Sequence, residues 1–223
     1  MQRLRVTFSR GEEVKYISHL DMMRLWERAL RRAGVPPAYS GGYSPHPRIS
    51  IAAPLPIGVT SEGELLDVVV QRRVSPYYFI KAVSGQMPRG IAIEGVVQVE
   101  MGAPSLQSQV RQAEYRVEIE TDRGPQEVEE ALGSFMGREH VPWQHMRQAE
   151  VRRYDIRSLV DRVWLLGWGD GRCQVGMRLR NDNTATGRPE QVSAALGFGE
   201  RPLSIVRTRL ILSGRHHDAA VPR

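Results

Sequence analysis

Arg3-Leu4-Arg5-Val6-Thr7-Phe8-Ser9 and, after a short break, Ser18-His19-Leu20-Asp21-Met22-Met23-Arg24-Leu25-Trp26-Glu27-Arg28-Ala29-Leu30-Arg31-Arg32 decide how the rest of the chain is read. In the first segment Leu4, Val6 and Phe8 alternate with polar residues, the period-two pattern of a half-buried strand. In the second, Ser18 followed three residues later by Asp21 has the form of a helix start. Leu20, Met23, Trp26 and Leu30 are expected to face inward, and Gly34 and Pro36 stop the helix. A strand followed by an amphipathic helix sets up a layered α and β structure.

Working outward, Ile49–Pro54 and Leu65–Val70 read as two strands, broken apart by Pro54, Pro56, Gly58 and Gly63. Ser75-Pro76 opens a helix running to about Ser84, and Ile91–Glu100 closes the unit as a strand. The order βαββαβ is that of a ferredoxin-like domain. It then repeats as a pattern: a strand at Tyr115–Thr121, a helix at Glu127–Met136, and strands at Tyr154–Leu166 and Cys173–Arg180 turned by Trp168-Gly169-Asp170-Gly171. A helix at Pro189–Leu196 and a strand at Leu203–Leu212 complete it. The expected fold is therefore α+β, two tandem ferredoxin-like (βαββαβ) domains with antiparallel sheets. The first is expected at 1–103, a linker at 104–111, the second domain at 112–213 and a disordered tail at 214–223. Gly137 to Arg153 fits the pattern poorly and reads as an insertion.

Composition narrows the function. The 223 residues are 41% hydrophobic and 25% charged, as in a folded soluble protein, and no apolar run approaches the length needed to span a bilayer. No membrane association is expected. The single cysteine, Cys173, rules out an internal disulfide and a cysteine-held iron–sulfur cluster; a reducing cytoplasm is the expected compartment. The net charge is +6, and 29 of the 31 basic residues are arginine, the lysines being Lys15 and Lys81. Arginine pairs with phosphate through a planar fork, so an excess points to nucleic acid. GC-rich coding also favours arginine, so placement has to decide between the two.

Placement gives three clusters. Arg24, Arg28 and Arg31 share a helix face by spacing, with Asp21 and Glu27 near enough to pair with them. The loop Ala38-Tyr39-Ser40-Gly41-Gly42-Tyr43-Ser44-Pro45-His46-Pro47-Arg48 carries Tyr39 and Tyr43 as stacking faces, His46 between two prolines, and the Arg48 fork. Single-stranded RNA is bound by such a set, bases stacking on aromatics and phosphates meeting arginine. Arg178 with Arg180, and Arg207 with Arg209, alternate out of two strands; in one sheet they would line one face. Arg152-Arg153-Tyr154 is also basic and aromatic. Catalytic candidates are His19 and His46, a general acid and base for metal-free RNA cleavage, with Tyr16, Tyr39 or Arg48 in support. No nucleotide-binding, zinc-protease or nucleophile-elbow motif is present, and no metal or cofactor is expected.

Ser18-His19-Leu20-Asp21, Trp26-Glu27-Arg28-Ala29-Leu30-Arg31-Arg32-Ala33, Tyr39-Ser40-Gly41-Gly42-Tyr43-Ser44-Pro45-His46-Pro47 and Leu55-Pro56-Ile57-Gly58 to Glu64 resemble the radical-SAM-linked protein family, with weaker matches at Asp155-Ile156-Arg157, Arg188-Pro189 and Arg207-Thr208. Tyr43 and Ser44 stand where phenylalanine and asparagine are more familiar in that family. The resemblance implies a bacterial cytoplasmic protein that works with a radical SAM enzyme, and it supplies no reaction. The tandem layout also resembles the CRISPR repeat-processing endoribonucleases, in fold alone. The expected function is an RNA-binding accessory protein working with a separate radical SAM enzyme in RNA modification or processing. The alternatives are a metal-independent endoribonuclease using His19 and His46, and a protein-interaction module docking on the radical SAM partner.

Overall fold

The computed structural model describes residues 1–147, 150–199 and 201–214, and among them lie ten strands, five α-helices and two 3₁₀ turns, at Glu12–Val14 and Arg157–Leu159. The first half runs β1 (Gln2–Arg10), α1 (His19–Arg32), β2 (Ile49–Ile51), β3 (Thr60–Val70), α2 (Pro76–Ser84) and β4 (Ile91–Val99). After the short α3 (Leu106–Gln109) come β5 (Val110–Glu120), α4 (Pro125–Gly137), β6 (Pro142–Arg147), β7 (Glu150–Asp155), β8 (Val160–Gly169), β9 (Arg172–Arg180), α5 (Pro189–Ala195) and β10 (Ser204–Leu212). The architecture is mixed α+β. Among the described residues one large sheet follows the order β4-β1-β3-β10-β5-β9-β8, with β2 on β3, and β6 pairs only with β7.

All pairings in the large sheet are antiparallel except one. β3 meets β10 in parallel, with Val206 opposite Thr60 and Arg207 opposite Ser61. One edge of β3 is therefore shared end to end: β10 takes Thr60 and Ser61, and β2 takes Leu66 to Val68. The order β4-β1-β3-β2 of the first half recurs as β10-β5-β9-β8 in the second. Gly63 permits the seam, since a Cβ there would stand 2.7 Å from the carbonyl oxygen of Thr208.

The expected alternation holds in β1, where Leu4, Val6 and Phe8 are fully buried with Trp26, Leu30, Leu66 and Phe79. Ser18 caps α1, its Oγ accepting from the Asp21 N–H at 3.2 Å. The buried face of α1 differs from the sequence reading: Met22, Trp26, Ala29 and Leu30 go inward, whereas Leu20 is exposed. These positions form an i, i+4, i+7, i+8 stripe, so the helix is turned from the expected face at its first turn. A second core joins Val117, Ile119, Val128, Phe135, Val175 and Met177 between α4 and the second half of the sheet. Within 104–111 stand α3, with Leu106 fully buried, and the start of β5.

Tyr154–Leu166, read as one strand, is two, β7 and β8. The Asp155 carboxylate accepts from the Arg157 N–H at 3.0 Å and the Val141 N–H at 2.9 Å, so the backbone bends at Ile156. The poorly fitting 137–153 stretch contributes the β6–β7 ribbon, with Trp143 opposite Tyr154 and His145 opposite Arg152. The expected tail, including His216, His217 and Asp218, lies outside the described residues beyond Gly214.

Candidate nucleic-acid interface

The loop between α1 and β2 is a hairpin. Tyr39 bridges Pro47, the Ser40 N–H donates to the His46 carbonyl at 2.8 Å, and the His46 N–H donates to Ser40 Oγ at 2.9 Å. At its base the Arg48 N–H donates to Ala38 and the Ala38 N–H to Val69, tying the hairpin to β3. Prolines at 45 and 47 keep the returning arm extended, and Gly42 turns the tip with φ 103°. Tyr43 at that tip is fully exposed, and Ser44, His46 and Arg48 are exposed too.

Glu27 joins the hairpin to α1. It accepts from Tyr39 Oη at 2.8 Å, while Arg31 Nε lies 3.8 Å from the same carboxylate oxygen. That bond raises the Tyr39 pKa above its ordinary value, the hydrogen bond to Glu27 being the largest cause. Tyr39 is half-buried and serves as a strut; Tyr43 presents the free ring. Arg24 leans on Asp21 at 3.4 Å with both groups exposed, a contact worth tenths of a kcal/mol. Arg28 is exposed with no carboxylate partner among the described residues, and the Arg48 guanidinium has, among them, a single hydrogen bond, to the Met1 sulfur. The structure thus gathers Arg28, Arg31, Tyr43, His46 and Arg48 on α1 and the hairpin that it braces.

The second-half arginines are arranged differently. Arg207 is 0% exposed and its guanidinium holds the buried Glu64 through two hydrogen bonds, with further bonds to the Ala53 and Pro54 carbonyls. It does not line an exposed face with Arg209, and the reason is a bulge at Thr208. Arg207 pairs with Tyr115 and Arg209 with Glu114, neighbours on β5 that face opposite ways. Burial alone would lower the Arg207 pKa, but the Glu64 charge outweighs it and the net shift is upward. Arg178 spends its fork on Glu114 and Asp161, and Arg209 binds the same Glu114. Burial pushes the Glu114 carboxyl up, yet hydrogen bonds from Arg209 and Arg178 hold it below its ordinary value. Arg180 is bound to Asp182 at 2.6 Å, which, with Thr184, depresses the Asp182 carboxyl strongly. Arg178, Arg180 and Arg209 are thus each matched by carboxylates.

His19 is the first residue of α1 and His46 stands on the hairpin; both are exposed, and no hydrogen bond links them to each other, to Tyr16 or to Arg48. Acid–base chemistry by a pair needs groups held in mutual reach, and among the described residues no side-chain hydrogen bond orients either imidazole. Sequence reading missed three exposed apolar side chains, Tyr16, Leu20 and Ile57, each at least 66% exposed; the Gly58 N–H, donating to the Lys15 carbonyl at 3.0 Å, ties the Ile57 turn to the segment that holds Tyr16. Leu20 gave no signal of this, since its spacing read as part of the inward face of α1. Among the described residues, no three His, Cys, Asp or Glu side chains group as metal ligands, and no helix is long and apolar enough to cross a membrane.

A family profile described as an uncharacterized protein conserved in bacteria (DUF2344) matches residues 3–189. No curated protein matches the chain. In fold, the chain is similar to one in the crystal structure of a Cbf5–Nop10–Gar1 complex, with 10% identity, TM-score 0.52, and coverage of 93% of this chain and 48% of that one. A chain of the archaeal box H/ACA sRNP Nop10–Cbf5 complex gives TM-score 0.49 at 11% identity, over 93% and 48% of the two chains. One in an H/ACA RNP bound to a substrate RNA containing 2′-deoxyuridine gives TM-score 0.48 at 11% identity, over 94% and 47%. The chain thus spans about half the length of these solved chains.

Proposed function

The chain belongs to this family of uncharacterised proteins conserved in bacteria, and we propose that it is an RNA-binding accessory protein that works with a separate radical SAM enzyme. The observation that carries the RNA reading is the braced hairpin: an exposed aromatic and two unneutralised arginines, Arg28 and Arg48, on one rigid support. Stacking and phosphate contact are what such a surface offers a single strand. The partner rests on the sequence resemblance, and the exposed Tyr16, Leu20 and Ile57 give a protein somewhere to dock. Strand order supports reading the sheet as two ferredoxin-like halves, 1–103 and 112–213, joined through 104–111. In that reading the hairpin belongs to the first half and the ribbon is an insertion in the second.

Binding of total cellular RNA by the purified protein tests it. Affinity should fall with salt, by a slope of about −0.7 in log K per phosphate contacted. Arg48→Ala should reduce the slope by about that amount, and Tyr43→Ala should weaken binding with the slope unchanged. Absence of RNA binding at low salt sinks the proposal. Retention of a radical SAM partner after nuclease treatment, lost in Ile57→Asp, would instead favour a protein-interaction module.

A further inference from the structure

Among the described residues, six buried polar side-chain atoms have no hydrogen-bond partner, and two of them, Trp143 Nε1 and His145 Nδ1, belong to alternate residues of β6. Both residues line one cavity of about 580 Å³ between the ribbon and α5, with Arg188, Glu190 and Gln191 on its other side. That volume lies within the range of small-molecule sites. The ribbon aromatics are fixed in place: His145 meets Tyr154 edge to face at 5.6 Å, and Tyr154 Oη donates to Gln191 Oε1 at 2.5 Å. Arg188 is exposed; its charge acts on the Tyr154 hydroxyl, and its guanidinium makes no hydrogen bond or ion pair among the described residues. An indole N–H donates only, whereas an imidazole nitrogen donates or accepts according to tautomer. Two such atoms on one strand leave hydrogen-bonding capacity unused at the cavity wall, across from a guanidinium and a carboxylate.

We propose that the groove between the β6–β7 ribbon and α5 is a nucleotide-binding site, taking a base at Trp143 and His145 and its phosphate at Arg188. A base supplies in-plane acceptors for the Trp143 N–H, a donor or acceptor edge for His145 Nδ1, and exocyclic amines for Glu190. A phosphate supplies the fork-shaped match that Arg188 lacks. The ligand chemistry is that of a free nucleotide or of an unpaired nucleotide in RNA. The site stands apart from the hairpin and does not rest on the RNA reading made for it.

The test uses the full chain carrying Arg48→Ala, which leaves the ribbon untouched. UMP, AMP, uridine, adenosine and a uridine hexanucleotide are titrated against tryptophan fluorescence. UMP or AMP is expected to change the emission, and Trp143→Phe to abolish that change. Arg188→Ala, at an exposed position, should weaken the monophosphates about tenfold and leave the nucleosides unaffected. A hexanucleotide that binds more tightly than UMP supports the site and identifies RNA as the source; one that binds no more tightly supports it and identifies free nucleotide. Absence of any nucleotide binding, or equal binding by the parent and Arg188→Ala, overturns the proposal.

Discussion

Arg207 and Glu64 form the most consequential pair in the molecule, 0% and 1% exposed in side-chain terms and joined across the seam between the halves. Arg10 shares the space, and its guanidinium, lowered in pKa chiefly by burial, donates to the Val14 and Ile17 carbonyls at 3.1 Å. Removing one member of a buried pair strands the other's charge. Glu64→Leu and Arg207→Leu should each cost about 3–5 kcal/mol in urea unfolding, and the double variant less than the sum. If each costs under about 1 kcal/mol, water reaches the pair and the hub is not closed. Sequence reading placed Arg207 on the surface because it assumed unbroken alternation; the extra residue, Thr208, carries no signal of its own. Glu64, by contrast, lay at the end of the signature stretch, where the function first looked to be external. Its actual work is internal.

Elements were legible where one periodicity ran unbroken. β1, α2 and β9 follow their alternation or capping residues closely, Ser75 Oγ accepting from the Tyr78 N–H as the Ser-Pro start implies. The β8–β9 turn matches its glycines, with φ 51° at Asp170 and 69° at Gly171. Legibility failed where a side chain redirected the backbone, as Asp155 does between β7 and β8. Hydrogen bonding from His140, then from the Val141 N–H, holds the Asp155 carboxyl below its ordinary 3.8. A carboxylate depressed on folding stabilises above its unfolded pKa and loses that contribution as pH falls through the folded one. Stability measured by thermal unfolding should therefore drop on acidification below about pH 4, less steeply in Asp155→Asn. Identical acid profiles for parent and variant would show that Asp155 does not fix the ribbon base. At α1, Ser18→Ala should cost about 1 kcal/mol through loss of the cap, read by the same unfolding assay. The hairpin was legible in composition but not in arrangement: only the structure shows Tyr39 turned to Glu27 and Tyr43 left free.

At the scale of the whole molecule, the seam between β3 and β10 decides whether there is one folding unit or two. The observed contact is narrow in register, Thr60–Ser61 against Val206–Arg207, reinforced by Ser61 Oγ donating to the Arg207 carbonyl at 2.9 Å. Gly63→Ala would press a Cβ against the Thr208 oxygen at 2.7 Å and the Arg209 Cα at 3.3 Å, both backbone atoms that cannot rotate away. It should destabilise by about 1–3 kcal/mol and broaden or split the calorimetric transition. A single unchanged transition would mean that the seam contributes little to cooperativity. The strands themselves were readable from element order; the parallel pairing of β10 with β3 was not, because Ser61 and the Arg207 opposite it are 146 residues apart.

That separation has a consequence for how the protein is made. Glu64 leaves the ribosome 143 residues before Arg207, so at about 5–20 residues per second the nascent first half waits roughly 7–30 seconds without its Arg207 partner. During that interval the edge of β3 at Thr60 and Ser61, which β10 later occupies, is an unpaired strand edge open to association.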